Sequence, residues 1–190
     1  MAKTESTFLN MVLTLFVVSL VSSVGVGSIY EMTKGPIAQA ALAKKINAIK
    51  DVVPEFDNSP VDNQYTFETA DGPLAVYPAK KDGTIVGMAV ETFSNQGFGG
   101  RIKLMVGLLP DGTIKDVAVI DHKETPGLGD KMDPSKSDFS RQFAGKDPKT
   151  FKLRVKKDGG DVDAITAATI SSRAFCDAVR RAYMVYKQGK

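Results

Sequence analysis

The pattern of apolar and polar positions changes character four times along the chain. From Phe8 to Tyr30 the run FLNMVLTLFVVSLVSSVGVGSIY carries no charge. As a helix rising about 1.5 Å per residue, it is long enough to cross the roughly 30 Å hydrocarbon core of a bilayer. Small residues at Ser22, Ser23, Gly25 and Gly27 would suit a cleaved leader, but the run exceeds the apolar stretch of about 7–15 residues usual in one, which favours a retained anchor. After Gly35-Pro36, Leu42, Ile46, Ile49 and Val53 recur at helical spacing with Lys44, Lys45 and Lys50 off the stripe, and Pro54 ends the pattern. Residues Glu55 to Gln64 are turn-rich and predict no element.

Alternation with period two then takes over. Leu74, Val76 and Tyr77 lead into Lys81-Asp82-Gly83-Thr84, a hairpin signal, and Val86, Met88 and Val90 follow it. Ile102, Leu104, Val106 and Leu108 form a cleaner strand, which Pro110-Asp111-Gly112-Thr113 turns into another through Val117 and Val119. The repeated Asp-Gly-Thr-Ile hints at a duplicated hairpin unit. Phe151, Leu153 and Val155, alternating with Lys152, Arg154 and Lys156, predict a fifth strand. From about Thr169 to Lys187 the period returns to that of a helix, with Ile170, Ala174, Phe175, Ala178, Val179, Ala182, Tyr183 and Tyr186 on one face and Lys187 and Lys190 at its end. Hairpin-linked strands with helices at the ends predict an α+β fold: a short N-terminus and single transmembrane helix over residues 1–34, then a mainly antiparallel sheet with flanking helices over 35–190.

Composition narrows the functional classes. With 25 basic and 22 acidic residues the net charge is +3, too balanced to indicate nucleic acid as a partner. One Cys and one His exclude a disulfide framework and argue against a His/Cys metal centre. Cys176, on the flank of the last helical stripe, reads as a small buried hydrophobe. Charge does not decide topology: Lys3 precedes the apolar run and Lys34, Lys44, Lys45 and Lys50 follow it, but long domains cross membranes largely regardless of flanking charge.

Three stretches carry candidate chemistry. Asp161 to Ser172, behind Gly159-Gly160, puts threonines at the entry to the last helix, where orphan N–H groups and the helix dipole favour an anion; a simple helix cap is the alternative. Ser94 to Gly100 sets Phe98 among three glycines, which suits stacking on a flat ligand; a flexible loop tip is the alternative. A connection this long, from Asp121 to Pro148, is usually functional or disordered; its Thr-Pro-Gly-Leu-Gly turn, Phe139 and Phe143 predict an ordered loop with a short helix.

The segment Asp163-Ala-Ile-Thr166-Ala167-Ala168-Thr169 resembles the flavinylation motif of the FMN-binding domain family, Asp-x-x-Ser/Thr-Gly-Ala-Thr, in which FMN is joined through its phosphate to the last Thr. Asp163, Thr166, Ala168 and Thr169 match it, and Ala167 departs from the usual Gly. With Gly97-Phe-Gly-Gly100 and His122-Lys-Glu-Thr-Pro-Gly-Leu-Gly-Asp130, nearly the whole chain resembles the G subunits of Rnf electron transport complexes. The C subunit of the sodium-pumping NADH:quinone reductase is similar in domain and motif but usually longer.

The resemblance implies covalent FMN as cofactor, attached to Thr169 with Asp163, Thr166 and Ala168 around it. It places the ring beside Phe98, Gly99, Gly100, Thr125, Gly127 and Leu128, with Glu124 binding there, orienting its loop or engaging the modifying enzyme. His122 then serves as a local hydrogen-bond partner rather than an acid-base catalyst. The implied role is an electron relay in a complex that passes electrons between ferredoxin and NAD with ion movement. Its partners are the other membrane subunits of the complex and, during maturation, a flavin transferase. The implied location is the bacterial cytoplasmic (inner) membrane, with the domain on the extracytoplasmic side. A non-redox assembly module and an FMN enzyme with its own substrate are the rival readings.

Overall fold

The computed structural model describes residues 7–189; Lys3 and Lys190, two of the cations weighed above, lie outside them. The chain divides into two compact units, residues 1–43 and 44–190. The first consists of most of helix α1 (Phe8–Val52). The helix runs through Gly35-Pro36 without interruption, with Pro36 inside it. Its ring removes one donor, and the surrounding side chains are exposed, so no neighbouring element presses on the irregularity. Along the apolar run, Thr14, Ser23 and Ser28 donate their hydroxyls to carbonyls four residues back, which satisfies these polar groups within the helix itself. The run is exposed along its whole length, as expected for a segment whose solvent is lipid.

The second unit is a five-stranded antiparallel sheet in the order β1 (Tyr65–Phe67), β2 (Leu74–Lys81), β3 (Thr84–Gly97), β4 (Gly100–Leu108) and β5 (Ile114–Asp121). Helix α2 (Thr169–Gln188) covers one face. The alternation along β4 sends Ile102, Leu104, Val106 and Leu108 into a core with Phe175, Val179 and Ala182. Met105 faces the other way, with Tyr77 and Ala89, onto Ile49 and Val52 at the end of α1. Buried polar bonds fix α2 on the sheet: Thr92 donates to the Ala178 carbonyl (2.9 Å) and Ser94 to the Asp177 carboxylate (2.8 Å). Cys176 is buried close to them in sequence on α2, and burial pushes its thiol up to about 12.

The two Asp-Gly-Thr-Ile segments do not fold alike. Asp82 and Gly83 both adopt positive φ (51° and 76°), forming the two-residue turn that matches strand twist. At Asp111 a longer connection is used, in which the Leu109 amide donates to the Thr113 carbonyl. The expected fifth strand at Phe151 to Val155 is absent. Leu153 and Val155 are buried as the alternation requires, but the segment makes only an isolated parallel bridge, Val155 to Val162. Residues 145 and 146 already occupy the start of the β5 edge, exchanging hydrogen bonds with Ile114. The fifth strand is instead Tyr65–Phe67, too short and too exposed to carry a sequence signal.

On the α1 side of the sheet, the Tyr77 hydroxyl donates to Glu91 (2.9 Å), which also pairs with Lys45 (3.0 Å). Burial, followed by the charge of Glu91, raises the Tyr77 phenol above its ordinary value. Folding therefore retains a proton that the unfolded chain releases near pH 10, so this contribution to stability is whole below about pH 10 and is lost as pH rises toward the folded-state value. Thermal melts between about pH 8 and 11 will show a steeper alkaline decline for the wild type than for Tyr77→Phe.

Candidate functional site

Three elements meet at one end of the sheet: the tip of the β3–β4 hairpin, the loop that follows β5, and the start of α2. The first connection is tighter than its glycine content predicts. Gly97 pairs with Gly100, leaving Phe98 and Gly99 as a two-residue turn, and Phe98 is 71% exposed. At Gly99 a Cβ would stand 1.8 Å from the Lys123 carbonyl oxygen, so only glycine lets the hairpin tip lie against the following loop.

That loop is ordered, as its sequence suggests. It holds short 3-10 turns at Gly129–Met132 and Ser140–Phe143, and the rings of Phe139 and Phe143 pack 5.2 and 5.0 Å from that of Phe175. The hydrogen bond and charge of Lys136 (2.7 Å) hold the Asp130 carboxyl below the usual range and pin the first turn. His122 Nδ1 accepts the amide of Glu124 (3.2 Å), the hydrogen-bonding role expected of it.

Glu124 joins all three elements. It is 5% exposed; one oxygen accepts the Gly99 amide (2.9 Å) and the other accepts the Ser171 hydroxyl. The approach to α2 is fixed by Ser172, whose hydroxyl oxygen accepts the Ile165 amide (2.9 Å) and whose hydrogen goes to the Ala168 carbonyl (3.0 Å). Arg173 grips Asp158 with two bonds of 2.7 Å, and this hydrogen bonding holds the Asp158 carboxyl below its usual value.

Thr169 is the first residue of α2, one place inside the helix rather than its cap. The cap position is Ala168, which has no side-chain oxygen, and no acid occupies the first turn. Among the described residues the amides of Thr169, Ile170 and Ser171 find no acceptor; the first bond of the helix is from Ser172 to Ala168. A helix start left open in this way is a site for an anion.

An open cleft of about 310 Å³ lies here. Of the residues singled out from the sequence, it brings together Phe98, Glu124, Thr125, Leu128, Ala168 and Thr169. Gly99 stands behind its wall through Glu124, Gly100 (φ +105°) closes the hairpin, and Gly127 (φ +77°) shapes the Thr125–Gly129 turn. Asp163 and Thr166 fall outside and border a neighbouring cleft. Asp163 braces the approach to α2: its carboxylate pairs with Lys156 (2.7 Å), its amide donates to Gln142 (2.8 Å), and its carbonyl accepts from the Gln142 side chain (3.1 Å). The cleft also recruits Gly129, Ala167, Ile170 and Ser171, which the sequence pattern does not mark as lining. Ile170, expected on the buried face of α2, is instead 47% exposed and lines the cleft, while Ser171 and Ser172 beside it are buried.

Residues 97–184, the span that builds this site, match the model of the FMN-binding domain. The chain is 33% identical over 175 residues to the G subunit of the ion-translocating oxidoreductase complex of Shewanella piezotolerans, covering 87% of this chain and 82% of that one. This chain belongs to that family of G subunits. Its counterpart from Cereibacter sphaeroides is 34% identical over 174 residues, 88% of this chain and 79% of the relative. That from Pseudomonas aeruginosa is 34% identical over 191 residues, 95% and 89% of the two chains.

Within the FMN-binding domain, Ala167 now has a physical meaning. Its φ is +62°, the left-handed region that disfavours a side chain, which accounts for glycine at this place in the motif. Ala167→Gly will relieve that strain, partly offset by the greater freedom of the unfolded chain. A net gain of about 0.5–1 kcal/mol is expected, read as a rise of about 2 °C in thermal midpoint.

Proposed function

We propose that this protein is a membrane-anchored electron carrier of an ion-translocating oxidoreductase complex of the Rnf type, holding FMN covalently through its phosphate on Thr169. The observation that carries the reading is the start of α2. Thr169 stands in the wall of the cleft at the head of three amides without acceptors, with no acidic residue in that turn and no side-chain cap. A phosphodiester keeps one negative charge, which such a helix end stabilises.

The surroundings suit the rest of the group. Phe98, Leu128 and Ile170 offer exposed apolar surface around the cleft, and Thr125 and the backbone add polar contacts. When bound, FMN supplies reversible electron transfer. The chain's own part is to hold the phosphate at the helix start, orient the ring against the Phe98 hairpin, and support both through Glu124 and Asp163. Esterification also frees cofactor retention from equilibrium binding, which suits a domain on the extracytoplasmic side of a bacterial cytoplasmic membrane. On this reading residues 1–34 are the single-pass anchor and 35–190 the flavin-bearing part. Electrons pass through the domain between neighbouring membrane subunits, coupled to ion transport, and a flavin transferase acts during maturation.

The test is an intact mass after co-expression with a flavin transferase. One FMN less one water is expected, and tryptic mapping will put it on the peptide from Asp158 to Arg173, with fragment ions locating it at Thr169. An unmodified chain under conditions that load a known acceptor, or flavin on a different residue, would refute the proposal.

A further inference from the structure

We infer that Glu124 is a positioning residue whose uncompensated charge holds down the reduction potential of a flavin in this cleft. The inference rests on the proposed FMN site and extends it. Glu124 is buried, borders the cleft, and spends its two oxygens on the Gly99 amide and the Ser171 hydroxyl. No Lys or Arg pairs with it among the described residues, unlike Asp130 and Asp177, the other buried acids, which hold Lys136, Arg180 and Arg181.

A carboxylate so placed does two separable things. Mechanically, it ties the hairpin bearing Phe98 to the first turn of α2, so the surface offered to the ring and the residue offered to its phosphate are held in one register. Electrostatically, it is a buried negative charge met by two neutral donors and the partial positive end of the helix, with no cationic side chain paired to it among the described residues. Adding electrons puts negative charge on an adjacent ring, and a fixed carboxylate makes that addition less favourable. Ser171 is the mechanical partner without the charge. Removing its hydroxyl should loosen the clamp while leaving the carboxylate in place.

The experiment compares full-length wild type, Glu124→Gln and Ser171→Ala, each co-expressed with a flavin transferase, by dithionite titration of the bound flavin followed in absorbance. Glu124→Gln is expected to carry one flavin and to titrate at a more positive potential. Ser171→Ala should stay close to wild type in potential, yet show faster amide hydrogen exchange at residues 97–100. An unchanged potential in loaded Glu124→Gln, or an equal positive shift in Ser171→Ala, overturns the inference. If Glu124→Gln does not accumulate, Glu124→Asp retains the charge, and the expected result is a near-wild-type potential with faster exchange at 97–100; a large positive shift there also overturns it. Failure of the wild type to acquire flavin would sink the functional proposal itself. The clamp is then judged on unloaded protein, where unchanged exchange at Gly99 in Glu124→Gln counts against it.

Discussion

Thr169→Val yields a protein that folds normally and carries no covalent flavin. The variant keeps the β-branched shape and nearly the same volume and removes only the hydroxyl. That hydroxyl makes no hydrogen bond among the described residues, and the side chain is half-buried in the cleft wall, so nothing in the fold depends on it. Stability should change by less than about 0.5 kcal/mol. Attachment should fall from complete to undetectable, because Val has no oxygen to form the phosphoester. After co-expression with a flavin transferase, denatured wild type will fluoresce on a gel and Thr169→Val will be dark. Thr166→Val will remain fluorescent, since Thr166 lies outside the cleft. A fluorescent Thr169→Val, or a dark Thr166→Val alone, contradicts the assignment.

Gly107→Ala is expected to be the most destabilising single methyl addition in the domain. A Cβ built at Gly107 would stand 1.7 Å from the carbonyl oxygen of Val52 and 2.9 Å from its Cβ. The conflict is with backbone, so no rotamer change relieves it. Either the end of α1 lifts from the sheet, exposing Ile49 and Val52, or β4 is pushed out of register. Overpacking of this kind costs about 3 kcal/mol or more, which for a domain of this size lowers the thermal midpoint by about 10 °C. Differential scanning calorimetry of full-length protein in detergent measures it directly. A shift under about 2 °C would mean that α1 does not pack on this face as described.

Much of this molecule is written in periodicities that need no tertiary context. The uncharged run from Phe8, the alternation along β4 and the helical stripe of α2 each report a choice between water and an apolar phase, and that choice is made residue by residue. The same local logic placed a threonine and an open helix start close together. It placed the helix start at about Thr169, as observed, but did not show that Ala168, without a side-chain oxygen, takes the cap, because that depends on Ser172 folding back on Ile165 and Ala168.

Where local pattern and structure part company, competition among distant segments is the cause. Leu153 and Val155 alternate like a strand and are buried like one, but residues 145 and 146 hold the sheet edge first. Sequence alone therefore determined the anchor-like helix, the antiparallel sheet, the long closing helix and the residue types of a phosphate-friendly site. Only the tertiary structure decided that Phe98 at a hairpin tip, Glu124 in a loop and Ser171 in a helix form one wall, leaving Asp163 and Thr166 behind it. Those contacts span 25 and 47 residues, and a buried carboxylate chooses its partners by the donors that folding brings within reach.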